Sequence, residues 1–413
     1  MHILYLHQYF TSRSGATGTR SYEFSKYLVK KGHQVTMVTS GWDNPMMSIR
    51  ENDLWVRLEV DGIQVVGVPG GYNDPKLGTG LSGIQRMRKF YEFARVAGRI
   101  GRKLTRPDMV LATHTPLPIG LAGIKLSRFF HVPFLFEVRD LWPEALTDAG
   151  LLSNPVVIWW LRRLAHKIYR RADHIIALSP GMKSGILAYG IPDDHVTVIP
   201  NASDLDLFAP DNDGQAWRQH LNLGKRFAAV YFGAMGRANG LDYVIEAARL
   251  LSKRGRDDIA MVLIGDGGQR PALQAKVIEY GLSNVIFQDP VPRADIAKAV
   301  AGAQACLTIF RPSQTNAWSP NKLFDSLAAG RPILINVPGW LGETVAGNQA
   351  GLCLDAHNPS ALADALEKLS GDPMQCQAMG RQARAVAERD FDRMKLAARF
   401  ESVLQKLVAE KLV

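Results

Sequence analysis

The sequence predicts an α/β protein built from two doubly wound parallel sheets, and three observations carry that reading. Short, β-branched apolar runs alternate with helical patterns along most of the chain. The alternation stops once, at a polar stretch, and restarts. The length of 413 residues is more than one core holds. In the first series Ile3 to His7, Val35 to Thr39, Met109 to Ala112, Phe134 to Val138, His174 to Leu178 and Val196 to Ile199 read as strands. The second series is Phe227 to Phe232, Ala260 to Ile264, Val285 to Gln288, Ala305 to Phe310 and Pro332 to Asn336. Pro200 to Asp204 and Asp211-Asn212-Asp213-Gly214 separate the two. Domains are therefore expected at 1–203 and 204–385, with closing helices over 386–413 packing back on the first. Open sheets of this type bind ligands beyond the carboxyl ends of their strands, so the expected site is a cleft between the domains.

Composition narrows the class. Apolar content of 46% and charged content of 21% are those of a globular chain, not a disordered or fibrous one. Cys306, Cys353 and Cys376 form no C-x-x-C pair and have no histidine at metal-ligand spacing, so neither a disulfide framework nor a metal site is expected. The opening Met1-His2-Ile3-Leu4-Tyr5-Leu6-His7 lacks a secretory pattern, and no apolar run approaches the roughly 20 residues of a membrane span. A cytoplasmic protein is the expectation.

The net charge of +10 is concentrated. Leu81 to Arg106 carries +7 and Val156 to Ala172 carries +5, leaving −2 for the remainder. Ile84, Met87, Phe90, Tyr91, Ala94 and Ala97 recur at helical spacing in the first segment, and Trp159 and Trp160 lie beside the cations of the second. Basic helices with aromatic edges suit an anionic membrane surface, with Arg86, Arg88, Arg162 and Arg163 as cations and Phe90, Tyr91, Trp159 and Trp160 as interfacial anchors. Solvated amphipathic helices are the bland alternative. Nucleic acid is not expected, because no recognition motif or stacking platform accompanies the charge.

Four turns carry candidate chemistry. Gly15 and Gly18 lie in the turn after the first strand, where a backbone can approach a ligand closely. The spacing is not that of a dinucleotide fingerprint, and the second strand ends in Thr39-Ser40 rather than an acid, which disfavours a nicotinamide dehydrogenase. Gly233-Ala234-Met235-Gly236-Arg237 follows the first strand of the second series as a phosphate cradle with one cation. Gly265-Asp266-Gly267-Gly268 follows the next strand. Ser319-Pro320-Asn321-Lys322 opens a short helix that Gly330 ends: Ser319 is the expected cap and Pro320 the first helical residue. The free N–H groups of that first turn, with Lys322, suit a diphosphate, and Asp325 one turn on suits sugar or ribose hydroxyls. His114, after a first-series strand, is a candidate for touching donor or acceptor.

With Arg139-Asp140-Leu141-Trp142-Pro143-Glu144, Val198-Ile199-Pro200-Asn201 and Lys31-Gly32-His33, these motifs make nearly the whole chain resemble the family 4 retaining glycosyltransferases of the GT-B fold. That fold places two Rossmann-like domains facing across a cleft. Arg139 to Glu144 and Ser319 to Lys322 look most like the subgroup that adds amino or deoxy sugars in O-antigen, capsule and exopolysaccharide assembly. The resemblance implies a nucleotide-sugar donor of the UDP-linked kind, a lipid-diphosphate-linked acceptor on the first domain, a peripheral position on the inner face of the cell membrane, and no metal or cofactor. It also implies that a donor phosphate oxygen takes the acceptor proton. The chain departs from the family pattern in three places. Two glutamates eight apart correspond to Ala317 and Asp325; the Arg and Lys of the glycine turn correspond to Ala234 and Asn239; and a catalytic-region His is replaced by Arg139 followed by Asp140. Arg237 and Lys322 are the expected substitutes for the turn cations. Two other readings remain open: a nucleotide-sugar epimerase on the same fold, and a non-catalytic partner that binds nucleotide sugar or membrane.

Overall fold

The computed structural model describes residues 1–13, 19–41, 46–47, 54–71, 81–312 and 317–412, and divides into two compact units. The first comprises Met1–Pro200, Ala317–Ser319 and Met394–Val413; the second comprises Asn201–Asn316 and Pro320–Arg393. The crossovers thus fall after Pro200 and Arg393 rather than after 203 and 385.

The first unit runs β1 (His2–Leu6), α1 (Arg20–Lys30), β2 (Gln34–Ser40), β3 (Val56–Val60), β4 (Ile63–Val68), α2 (Gly83–Gly101), β5 (Met109–Thr113), α3 (Ile119–Phe130), β6 (Phe134–Val138), α4 (Glu144–Asp148), α5 (Pro155–Tyr169), β7 (His174–Ala177), α6 (Pro180–Leu187) and β8 (Val196–Val198). The sheet order is β3-β4-β2-β1-β5-β6-β7-β8. β5 and β6 are buried at every residue, as strands covered by helices on both faces must be. The β3–β4 hairpin was not anticipated. It is the antiparallel edge, turning at Asp61 and Gly62, which both have positive φ. Ser82 caps α2 in a reciprocal pair with Gln85, and Asn154 and Ser179 cap α5 and α6 ahead of Pro155 and Pro180.

The second unit runs α7 (Gln215–His220), β9 (Phe227–Phe232), α8 (Asp242–Lys253), β10 (Ile259–Ile264), α9 (Arg270–Glu279), β11 (Val285–Gln288), α10 (Arg293–Gly302), β12 (Ala305–Thr308), α11 (Asn321–Ala328), β13 (Ile333–Ile335), α12 (Trp340–Ala346), β14 (Gly351–Cys353), α13 (Pro359–Ser370) and α14 (Pro373–Asp390). Its parallel sheet has the order β11-β10-β9-β12-β13-β14, so the winding reverses between β9 and β12. In the first unit the reversal lies between β1 and β5. α15 (Arg393–Leu412) belongs to the first unit from Met394 onward: Phe400 packs on Phe24 at 5.1 Å, and Glu401 accepts from Tyr27 and pairs with His33 at 2.8 Å.

A buried ion pair ties the first unit together. Arg20 donates to Glu137 at 2.8 Å and to the carbonyls of Ile199 and Pro200, while Thr113 and Tyr5 donate to the other carboxylate oxygen. Burial pushes the Glu137 carboxyl up, but the Arg20 and Arg139 charges and the Thr113 hydrogen bond outweigh it and hold it below the usual range. Removing one partner of a buried pair leaves an uncompensated charge. Arg20→Ala is expected to cost about 3–5 kcal/mol in urea unfolding at neutral pH, and Glu137→Gln in the same chain to recover part of that loss.

Candidate active site

The candidate site lies at the carboxyl end of the second unit's sheet, at the reversal between β9 and β12. β9 runs out into Gly233 (φ 130°) and β10 into Gly265 (φ 141°). Gly233 donates to the Ile264 carbonyl at 2.9 Å and Met235 to the Asp266 carbonyl at 2.8 Å. A Cβ on Gly265 would collide with the Gly233 carbonyl oxygen, and one on Gly267 with the Met235 backbone. The two turns therefore touch main chain to main chain. Asp266 turns one carboxylate oxygen onto its own loop, accepting from the Gly267 N–H at 2.8 Å.

Lys322, in the first turn of α11, reaches back over this contact. Its Nζ donates to the Tyr231 hydroxyl at 2.7 Å and stands 4.0 Å from the Tyr231 ring centroid and 4.9 Å from that of Phe310. An ideal Cβ on Gly233 would lie 3.6 Å from that ammonium. Tyr231 passes its own proton to the Ala234 carbonyl at 2.6 Å. Among the described residues no carboxylate pairs with Lys322, and burial lowers its pKa to about 7.

The exposed Arg237 side chain has no polar partner among the described residues. Asn239, where the family pattern has a lysine, is instead a turn residue: its Oδ1 accepts from Gly236 N–H at 3.2 Å. Sequence reasoning missed Arg311. Its N–H donates to the Ala238 carbonyl at 2.8 Å, placing it against the Arg237 turn, and its exposed side chain likewise has no partner among the described residues. The available signal was a cation directly after the strand at the winding reversal. Arg237, Arg311 and Lys322 thus stand on the loops that close one sheet end, where an anion finds charge-assisted donors.

One expectation for α11 is corrected. Ser319 is not the cap: the N-cap position is Pro320, extended at φ −79° and ψ 126°, and helix begins at Asn321. Pro320 itself is extended, unlike Pro155 and Pro180 at the starts of α5 and α6, so the helix starts one residue on and its N-cap residue supplies no side-chain cap. Gly330 does end the helix, at φ 61°. Asp325 does not pair with Lys322 and is 2% exposed. Both its oxygens accept from Arg293 at 3.1 Å, and Arg293 also approaches Asp204, which Arg393 holds at 2.6 Å. Burial raises the Asp325 carboxyl, opposed by Arg293. A ligand hydroxyl reaching Asp325 would compete with Arg293.

In the first unit His114 and Asp140 follow β5 and β6. His114 is 1% exposed, edge-on to Trp142 at 5.2 Å and near Phe136, and neither ring nitrogen has a hydrogen-bond partner among the described residues. Burial drops its pKa to about 4, so it is neutral at pH 7. Asp140 accepts from Thr115 at 2.8 Å. Also gathered here is His7, between Ser21 at 2.8 Å and Arg139 at 3.4 Å. Gly15 and Gly18 lie outside the described residues.

On the cationic helices, Phe90 is corrected as an anchor: it is 3% exposed and packs on Trp142 at 6.1 Å. Trp159 (57% exposed) and Trp160 remain open to solvent beside Ile84, Val156 and Val157. Arg163 lies over the Trp159 ring, Arg162 pairs with Glu144, Arg88 is exposed and Arg86 is partly buried. No described helix is long and apolar enough to cross a membrane.

Residues 17–207 match the family model described as Glycosyltransferase Family 4, and residues 213–386 the one described as Glycosyl transferases group 1. The chain belongs to glycosyltransferase family 4. Among curated relatives, D-inositol 3-phosphate glycosyltransferase of Paenarthrobacter aurescens is 26% identical over 279 residues, 65% of this chain and 66% of its own length. The match therefore spans just under two thirds of that relative. Sucrose-phosphate synthase of Thermosynechococcus elongatus aligns over 99% of both chains with a TM-score of 0.80 at 17% identity. HepE of Anabaena, solved with UDP-glucose, gives 0.73 at 18% over 98% of this chain and all of its own. The fold of this family 4 chain is accordingly GT-B.

Lys322 is charged below about pH 7 and largely neutral above it in the empty site. A diphosphate favours the charged form, so binding above that pH must draw in a proton. Affinity for UDP, used as a probe, is expected to fall by up to about tenfold per pH unit between about pH 7 and 9, and Lys322→Met to flatten that slope in calorimetric titrations. An unchanged slope in Lys322→Met would assign the dependence to another group.

Proposed function

We propose that the protein transfers a sugar, with retention of configuration, from a UDP-sugar to a lipid-diphosphate-linked saccharide during assembly of a cell-surface polysaccharide. The observation that carries this reading is the set of three cations, Lys322, Arg237 and Arg311, around two glycine turns and an uncapped helix start. A leaving nucleoside diphosphate gains negative charge as the sugar departs, and donors fixed in place before the reaction stabilise that charge without reorganising. The UDP-glucose complex of HepE supports a uridine donor, and the sugar-transferring relative supports transfer over epimerisation. The O-antigen or capsule role rests on the Arg139 to Glu144 and Ser319 to Lys322 motifs.

In this mechanism the bond from C1 to the diphosphate oxygen breaks, and its electron pair leaves with the diphosphate. The acceptor hydroxyl forms the new C1–O bond on the same face, and its proton passes to the departing diphosphate. No strong protein base is needed. Neutral His114 and the Thr115-bound Asp140 are then acceptor-side contacts on the first unit. Lys322→Ala is expected to lower turnover roughly 100-fold in a nucleotide-release assay that supplies UDP- and GDP-sugars with a membrane lipid extract. Near-normal turnover removes Lys322 from the reaction, and epimerised donor without transfer overturns the activity.

The same reading puts the protein on the inner face of the cell membrane, held reversibly by α2 and α5. Exposed Trp159, Trp160, Ile84 and Val156 beside Arg88 and Arg163 supply apolar insertion and charge attraction. Flotation with anionic vesicles is expected to exceed flotation with neutral ones and to weaken with salt. If reversing Arg86, Arg88, Arg162 and Arg163 to Glu leaves flotation unchanged, the membrane role fails.

A further inference from the structure

The first unit carries an open groove of about 890 Å³ between α2 and α3 that the donor site does not use. Small residues create it. An ideal Cβ on Gly98 would lie 3.6 Å from the Ala122 Cβ, and one on Gly101 would press into Leu126, so the two helices approach closely there. Ala94 and Ala122 then line a trough between longer side chains. Its rims are cationic: Arg88 and Arg95 from α2 and Lys125 from α3, all exposed and without a polar partner among the described residues. Lys89 is satisfied by Glu92 at 3.1 Å, so these three charges stay uncompensated.

Apolar surface adjoins the cationic groove. Tyr91, in its lining, meets Trp160 of α5 at 5.8 Å, and beside Trp160 are exposed Val156, Val157 and Trp159. An anion with an apolar tail matches that sequence of surfaces. Behind the groove, buried packing runs toward the carboxyl end of the sheet. Phe90, next to Tyr91, packs on Trp142, which in turn packs on His114.

We infer that the α2–α3 groove binds the diphosphate of an isoprenoid-type lipid, with Arg88, Arg95 and Lys125 on the phosphates and Tyr91 and Trp160 along the start of the tail. Three unpaired cations suit the two to three charges of a diphosphate better than the single charge of a bilayer phospholipid, and a trough suits one seated ligand better than a flat sheet of headgroups. This inference rests on the lipid-linked acceptor proposed above and names where its lipid phosphates sit.

The test measures binding of farnesyl diphosphate to the full chain with UDP at saturation, so that the second unit's diphosphate site is filled. Charge-assisted hydrogen bonds are each worth about tenfold or more in affinity. Arg95→Gln with Lys125→Gln is expected to weaken farnesyl diphosphate at least tenfold, to weaken inorganic pyrophosphate by a similar factor from a poorer starting affinity, and to leave flotation on phosphatidylglycerol vesicles within about twofold. Both residues are exposed, and an unchanged melting temperature and UDP affinity certify the fold. Unchanged farnesyl diphosphate affinity overturns the site. Equal loss of farnesyl diphosphate and vesicle binding also overturns it, assigning the groove to bilayer headgroups. Because no sugar is transferred in this assay, a missing transferase activity would sink the proposed function and leave the groove standing, whereas unaltered lipid-diphosphate binding would do the reverse.

Discussion

The contact between Gly233 and Gly265 sets the space in which everything at the second unit's sheet end is arranged. Two parallel strands end side by side, and their turns are pressed together until one carbonyl occupies the place of the other residue's missing side chain. The Lys322 ammonium settles over Gly233 beside that contact and reaches Tyr231. Any Cβ at Gly265 would push the β9 turn outward, and with it Ala234, which holds the Tyr231 hydroxyl. The site is thus built from backbone first, with charge laid over it.

At their sheet ends the two units handle charge in opposite ways. In the first, Arg20 and Glu137 neutralise one another inside a cage of four further donors and acceptors, while His7 and His114 are buried in neutral form. In the second, cations are left without acids at the sheet end, and the nearby acid, Asp325, is bound to Arg293. Asn239 holds its own turn by accepting from Gly236, while Lys322 on α11 and Arg311 after β12 bring cations to the same sheet end.

Most strands were legible because strands buried on both faces must be apolar throughout, as β5, β6 and β10 are. The β3–β4 hairpin was passed over although Asp61-Gly62 between alternating runs announces such a turn, and β14 is only three residues long. Within the site, Lys322 and the glycine turns were legible because their chemistry is local. Arg311 was not, since its place depends on β12 lying beside β9, a pairing of distant segments. The Arg293 partner of Asp325 was not legible for the same reason: it stands 32 residues away in the chain. Phe90 shows the limit of periodicity, which marked α2 as amphipathic without saying that Phe90 joins Phe93 and Ala97 against the core.

The first unit is not contiguous in the chain, and that has a consequence for how it is made. Phe24, Tyr27 and His33 near the start of the chain find Phe400 and Glu401 only after the whole of the second unit has been synthesised. During translation the face of α1 waits uncovered while residues 201–393 emerge and assemble. The first unit is thus completed last, when α15 closes over α1.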